Sequence, residues 1–383
     1  MPSAPFRVLL VCEGDAENPA ESFSGITHSI LVTMRERGVE VRTADAELYG
    51  AARWLGALAS WAPNRRRWSV RFRLGRRASA LRTAAARRAI AAERNSVDAI
   101  VQIGATFRPE GHGNVPYYLY CDSNIRMAER GIASGFSQAV AITPRELREV
   151  IDREEDVYRG ASGIFTISDR LRQSFVDDFH VPPERAHAVH AGPNFDPREL
   201  PADRRPPASR TILFVGTQFQ RKGGDVLLEA FRVVRRTMPD ARLVIVGPRD
   251  VVTSDDGVEL LGHLRQDDPA ARRTLLDAYA RAAVYCLPTR YEPFGISYLE
   301  AMYFGLPCIG TDTGAVPEMI VDGETGYLVP VNDAPMLAER LLALLGDPER
   351  GARMGDAGRR RARQLFSWQA AVGRMLDVMQ RRG

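Results

Sequence analysis

The residues best suited to chemistry lie in the second half of the chain. Lys222 is the single lysine among 52 basic residues, all the others being arginine. It follows Arg221 and precedes Gly223 and Gly224, in a loop that begins at Gly216, where the apolar run TILFVG (211–216) ends, and leads into a helical pattern. Two cations and the free amides of a helix start converge there, which suits a diphosphate, and neutralising its charge would help it depart as a leaving group. Composition favours this reading over two ordinary exposed cations: a chain that uses arginine elsewhere has lysine where a compact ammonium differs most from a planar fork. The same residue rules out a nucleoside-triphosphatase phosphate loop, because Lys222 is followed by glycine and not by serine or threonine.

A second constellation reads TRYEPFGISYLEAMYFGLPCIGTDTG. Glu292 lies in the loop after a strand, and Glu300 follows eight residues later within the helix that Phe294, Gly295 and Ile296 open. Gly295 lets a ligand approach the amides at the helix start, and Glu300 can accept hydrogen bonds from two neighbouring hydroxyls, as a ribose presents them. Glu292 would then face the group attached to the phosphate. Helix-capping or surface charge is the alternative for either glutamate. Ser24-Gly25-Ile26 offers a further helix start to a phosphate, with an ordinary N-cap as its alternative.

These residues must be positioned by strands and helices. Phe6 to Cys12 is an apolar run interrupted only by Arg7, as expected of a strand covered on both faces in a parallel sheet. A helix from Ser24-Gly25 to about Arg37 and a strand VEVRT follow, and further strand-like runs lie at 99–104, 115–121, 163–168 and 187–191. Five prolines between Pro193 and Pro207 mark a linker, with a boundary near 200. The pattern then restarts, with strands at 211–216, 242–247, 284–288 and 307–311 and helices over about 223–237, 270–281 and 296–304. The fold class expected is α/β, two doubly wound Rossmann-like domains facing a cleft, with C-terminal helices from Ala334 broken near Gly346-Asp347-Pro348 and Ser367-Trp368. The domains expected are 1–200, 201–365 and a terminal helix 366–383 packing back on the first. No G-x-G-x-x-G follows the first strand, which argues against a nicotinamide or flavin dinucleotide.

In its Glu292-to-Glu300 signature, followed by Gly305, Gly310, Gly314 and Glu318, the chain resembles the retaining group-one (family four) glycosyltransferases of the GT-B fold. The resemblance covers the second domain and, more loosely, the first. It implies that Glu292 contacts the donor sugar near the reacting centre, that Gly295 and Ile296 offer amides to phosphate or sugar, and that Glu300 holds the ribose. Lys222 matches the family's diphosphate-binding lysine, Leu264 a position that contacts the base, and Gly25 the first-domain glycine loop. Many members place arginine after the glycine matched by Gly216, where this chain has Thr217; Arg221 is the candidate replacement and Arg290 the other choice. The family histidine that touches the donor sugar is also absent, leaving Asp122, in YLYCDSN, and His112, in EGHGN, as substitutes. The histidines form no metal set and no Asp-x-Asp stands in a strand context, so neither metal nor cofactor is expected.

The length of 383 residues suggests roughly two to three domains. A formal charge of +4 is too balanced to argue for nucleic acid as a partner. That balance hides a basic segment, Arg53 to Arg94, with twelve arginines against Glu93 alone, so it carries +11 and the remainder −7. Trp54, Trp61 and Trp68 recur there every seven residues, interrupted by Pro63. Either the segment docks on anionic lipid or its tryptophans pack on the first domain. Four scattered cysteines, no signal-peptide pattern and no bilayer-length apolar run fit a cytoplasmic protein, peripheral to the inner face of a membrane if it meets one.

The function expected is transfer of a sugar from a nucleoside-diphosphate sugar to an acceptor hydroxyl on a glycan, a lipid-linked glycan or a small molecule. A nucleotide-sugar epimerase on the same architecture and a non-catalytic nucleotide-sugar-binding protein are the alternatives.

Overall fold

The computed structural model describes residues 5–18, 25–200, 209–249, 251–265 and 267–381. Ser24, expected to open the first helix, and 201–208 of the proline-rich stretch lie outside them. The chain divides into two compact units, Met1–His190 with Trp368–Gly383, and Ala191–Ser367. The start of the proline-rich stretch is fastened to second-unit side chains: Phe195 packs edge-on against Tyr303 and Phe304, and the Asn194 amide donates to Glu300. For that reason the division falls ahead of position 200.

The first unit is a six-stranded, wholly parallel sheet in the order β2-β1-β3-β4-β5-β6. Its strands are β1 (Arg7–Cys12), β2 (Glu40–Asp45), β3 (Ala99–Ile103), β4 (Tyr117–Cys121), β5 (Gly163–Thr166) and β6 (Ala186–Ala188). β3 and β4 are buried at every residue, β4 as an apolar run and β3 with one polar side chain, Gln102, whose amide donates to the Gly104 and Phe107 carbonyls, whereas the edge strand β2 buries only Val41 and Ala44. The helices are α1 (Ile26–Glu36), α2 (Gly50–Ala59), α3 (Arg65–Leu74), α4 (Arg76–Glu93), α5 (Ile125–Arg130), α6 (Pro144–Gly160) and α7 (Asp169–Phe179). α6 starts on a capping box between Thr143 and Glu146 with Pro144 in its first turn. The basic segment forms α2 to α4, an insertion between β2 and β3. Packing of all three tryptophans on the unit does not hold there: Trp54 and Trp61 remain 72% and 61% exposed, because the inward side of α2 is made of small residues.

The second unit repeats the architecture in the order β12-β11-β10-β7-β8-β9, again parallel throughout. It contains β7 (Thr211–Val215), α8 (Gly224–Thr237), β8 (Arg242–Val246), β9 (Val258–Gly262), α9 (Pro269–Arg281) and β10 (Val284–Leu287). Then come α10 (Ile296–Tyr303), β11 (Cys308–Thr311), α11 (Val316–Met319), β12 (Gly326–Val329), α12 (Ala334–Gly346) and α13 (Pro348–Leu365). The sequence pattern missed β9 and β12, the two edges, since β9 carries exposed Glu259 and Leu260 and β12 is only four residues long. The last helix, α14 (Trp368–Arg381), belongs to the first unit, where Arg37 donates to the Gln369 carbonyl and Gln369 to Glu36.

Chain order reverses once in each sheet, between β1 and β3 in the first unit and between β7 and β10 in the second. Loops leaving adjacent strands at such a point diverge and open a crevice beyond the strand ends.

Candidate active site

In the second unit the two loops at the reversal point carry the charged residues picked out by sequence. The Lys222 ammonium donates to Glu292 across 70 positions of chain, and the Arg221 guanidinium lies 3.9 Å from the same carboxylate oxygen. The ion pair is almost dry, with Lys222 at 11% and Glu292 at 7% side-chain exposure. Burial pushes Lys222 below the usual lysine range and Arg221 pushes the same way, while Glu292 opposes both.

Backbone contacts explain this convergence. Gly223, before α8, has φ +72°, and a Cβ there would lie 1.9 Å from the Pro288 carbonyl oxygen, so only glycine lets the Lys222 loop close on the end of β10. Across the gap the Arg290 amide donates to the Arg221 carbonyl at 2.9 Å, and Arg221 Nη1 donates to the Tyr291 carbonyl at 2.5 Å. Gly314, at φ +54°, supports Glu292 from the far side: a Cβ there would stand 1.6 Å from the Glu292 carbonyl oxygen. Thr289 is fully buried and ties the loops together, donating to the Arg221 and Tyr291 carbonyls at 3.2 Å.

Gly295, at φ +105°, opens α10 next to buried Phe294, and Ile296 takes the first helical position. One turn further along, Glu300 is buried and accepts from the Tyr279 hydroxyl at 2.8 Å and the Asn194 amide at 3.4 Å. Burial pushes its carboxyl up to about 7, the two hydrogen bonds opposing. Leu264 follows β9 half-buried, and Gly216 packs against the Lys222 stem.

Residues 197–361 match the family model described as glycosyl transferases group 1. The matched stretch lies within the second unit and takes in both loops of the reversal point. Among relatives, the chain is 30% identical over 241 residues to the MMP alpha-(1->4)-mannosyltransferase of Mycolicibacterium hassiacum, covering 60% of this chain and 57% of that one. The chain spans about half the length of the curated relatives it matches. Of solved structures, sucrose-phosphate synthase from Thermosynechococcus elongatus superposes with a TM-score of 0.66 at 19% identity, over 98% of this chain and 99% of that one. Anabaena HepE in complex with UDP and glucose gives 0.58 at 14% identity, over 97% and 99%. Both likenesses concern the fold, two parallel-sheet Rossmann-like units of the GT-B kind.

The matched stretch thus gathers Arg221, Lys222, Glu292 and Gly295, with Glu300 in the helix that follows. It separates the two arginines considered in place of Thr217, which is itself exposed. Arg290 is engaged by Asp225 at 2.7 and 2.8 Å and by Asn332 at 2.6 Å, so it clamps the start of α8, whereas Arg221 faces Glu292. Sequence reasoning missed Thr289, Asp225, Tyr279 and Asn194; the one available signal was Asp225, directly after the paired glycines.

In the first unit Gly25 caps α1 at φ +80°, and half-buried Asp122 directly follows β4, its carboxyl pushed up by desolvation with Arg73 opposing. His112 is held in a turn, its Nδ1 3.1 Å from the Val115 carbonyl oxygen. The reversal point there also holds a carboxylate, unforeseen from sequence: Glu13, after β1, takes the Thr106 hydroxyl and lies 2.5 Å from Arg82 Nε.

Proposed function

We propose that the chain is a glycosyltransferase that moves a sugar from a nucleoside-diphosphate sugar to an acceptor hydroxyl with retention of anomeric configuration. The observation that carries this reading is the buried Lys222–Glu292 pair, with Arg221 beside it, at the strand reversal of a group 1 glycosyltransferase domain. Lys222 and Arg221 receive the diphosphate and stabilise the charge that grows on it as the bond to the sugar breaks. That is charge neutralisation by the chain's own cations. Glu292 orients the sugar and stabilises positive charge at the anomeric carbon; held by an ammonium, it is an electrostatic partner and not the nucleophile. The new bond to the acceptor oxygen forms on the face the phosphate leaves, and the departing phosphate oxygen takes the acceptor's proton. Gly295 and Ile296 offer amides to the phosphate or sugar, Glu300 holds the ribose and Leu264 meets the base; Gly25 is the further candidate for a phosphate contact and Asp122 for a sugar contact. Four free, buried cysteines support a cytoplasmic setting.

Relatives named as mannosyltransferases and a neighbour holding UDP support a nucleotide-sugar donor. The test is donor consumption by the purified chain with and without acceptor hydroxyls, after thermal-shift ranking of uridine, guanosine and adenosine diphosphates. Acceptor-dependent consumption with retained configuration is expected. Epimerised donor without acceptor, or nucleotide binding without turnover on any acceptor, overturns the reading.

A further inference from the structure

α2 is amphipathic the wrong way round for a helix that only covers a core. Its inward side is built from Ala52, Gly56 and Ala59, with Gly56 buried so closely that a Cβ would lie 3.0 Å from the Phe72 ring. Outward stand Trp54, Leu55 and Leu58, at 72%, 61% and 69% exposure, and Trp61 just past the helix end is 61% exposed. On helical geometry the three outward side chains of α2 share an arc of about 100°. Large apolar side chains gathered on one exposed face mark a surface that meets something.

Charge says what it meets. Arg66, Arg67 and Arg71 are engaged within the first unit by the Gly135 and Ser137 carbonyls, by Glu146 and by the Trp61 carbonyl. Arg53 and Arg65, flanking the tryptophans, are exposed, and their guanidinium groups make no hydrogen bond or ion pair among the described residues. No helix among the described residues is long and apolar enough to cross a membrane, so contact would be from the side. We propose that the α2–α3 face docks on an anionic lipid bilayer, with Trp54 and Trp61 at the headgroup level, Leu55 and Leu58 below it, and Arg53 and Arg65 against lipid phosphates. This placement stands apart from the transferase reading, because it uses none of the second unit's residues.

The experiment is sedimentation of the full chain with vesicles of phosphatidylcholine alone or mixed with phosphatidylglycerol, at low and high salt. Binding is expected only with the anionic lipid, weakening as salt rises. Trp54→Ala with Trp61→Ala lowers the partition at least about tenfold, and Arg53→Gln or Arg65→Gln about fivefold each, with melting unchanged because all four positions are exposed. Tryptophan emission shifts to the blue and is quenched by brominated acyl chains in the parent chain but not in the double variant. No binding to anionic vesicles at low salt, equal binding to phosphatidylcholine alone, or undiminished binding by the double variant overturns the proposal. So does a dimer in solution that Leu58→Glu converts to monomer, since a second copy would then cover the face.

Discussion

The two strand reversals of this molecule look alike and use their charges differently. In the second unit, Glu292 meets a cation supplied by the loop after the neighbouring strand, and Arg221 stands close enough to replace it. In the first, Glu13 meets Arg82, which comes from α4 of the insertion and is only 2% exposed. One carboxylate therefore sits among loop cations beyond the strand ends, while the other fastens an inserted helix to the sheet. A shared topology makes a crevice; what the crevice does depends on which element supplies the counter-charge.

The largest effect that would separate the two is on turnover. Lys222→Met is expected to lower kcat about a thousandfold and Lys222→Arg about a hundredfold, since either removes the compact ammonium at the leaving group. The same Lys222→Met change should cost less than about 1 kcal/mol of stability, because Arg221 keeps Glu292 compensated. Steady-state kinetics with a parallel denaturant titration checks both, and unaltered turnover for Lys222→Arg would sink the assignment. Arg82→Met is the converse case. It should cost about 3 kcal/mol in denaturant unfolding by leaving Glu13 without its cation, and donor affinity should stay within about twofold. A stable Arg82→Met chain with impaired donor binding would erase the distinction.

The smallest expected effect concerns two carboxyls that have solvation in common. Glu154, in α6, accepts from the Ile125 amide and the Tyr158 hydroxyl much as Glu300 accepts from Asn194 and Tyr279, and burial raises both from 4.5 to about 7. A raised carboxyl binds more protons folded than unfolded between those values, so each contributes stability that is lost as pH rises through that window. Glu154→Gln and Glu300→Gln should each flatten the decline in thermal stability. Only Glu300 would also meet a ribose, whose hydroxyls bind best to the ionised form. Nucleoside-diphosphate affinity should therefore rise about tenfold from about pH 6 to about pH 8, and Glu300→Gln alone should flatten that curve. Calorimetric titration across the range decides it, and a flat profile in the parent chain removes the ribose role.

Much of this was legible in the chain. Apolar runs such as 8–12 and 211–216 announce strands buried on both faces, and glycines placed before helical patterns announce the tight loop ends that Gly223, Gly295 and Gly314 supply. Lys222 stood out by composition alone. The edge strands β9 and β12 were not legible, because a strand half in solvent needs no apolar run. Nor was Glu13, which has an ordinary acidic neighbourhood in sequence and gains meaning only from Arg82 in a helix of the insertion.

By itself, then, the sequence determined the repeating strand and helix units, the residue types able to hold a diphosphate and the positions where backbone must approach backbone, since all of these follow from periodicity and side-chain chemistry within a short window. Tertiary structure decided which charges meet: Lys222 with Glu292 rather than Arg290, Arg290 with Asp225, Arg82 with Glu13, and small residues rather than tryptophans on the inner side of α2. The reason is that strand order sets these neighbours. Where a chain reverses across a sheet, residues some seventy positions apart in sequence become hydrogen-bonding partners, and no local pattern encodes that.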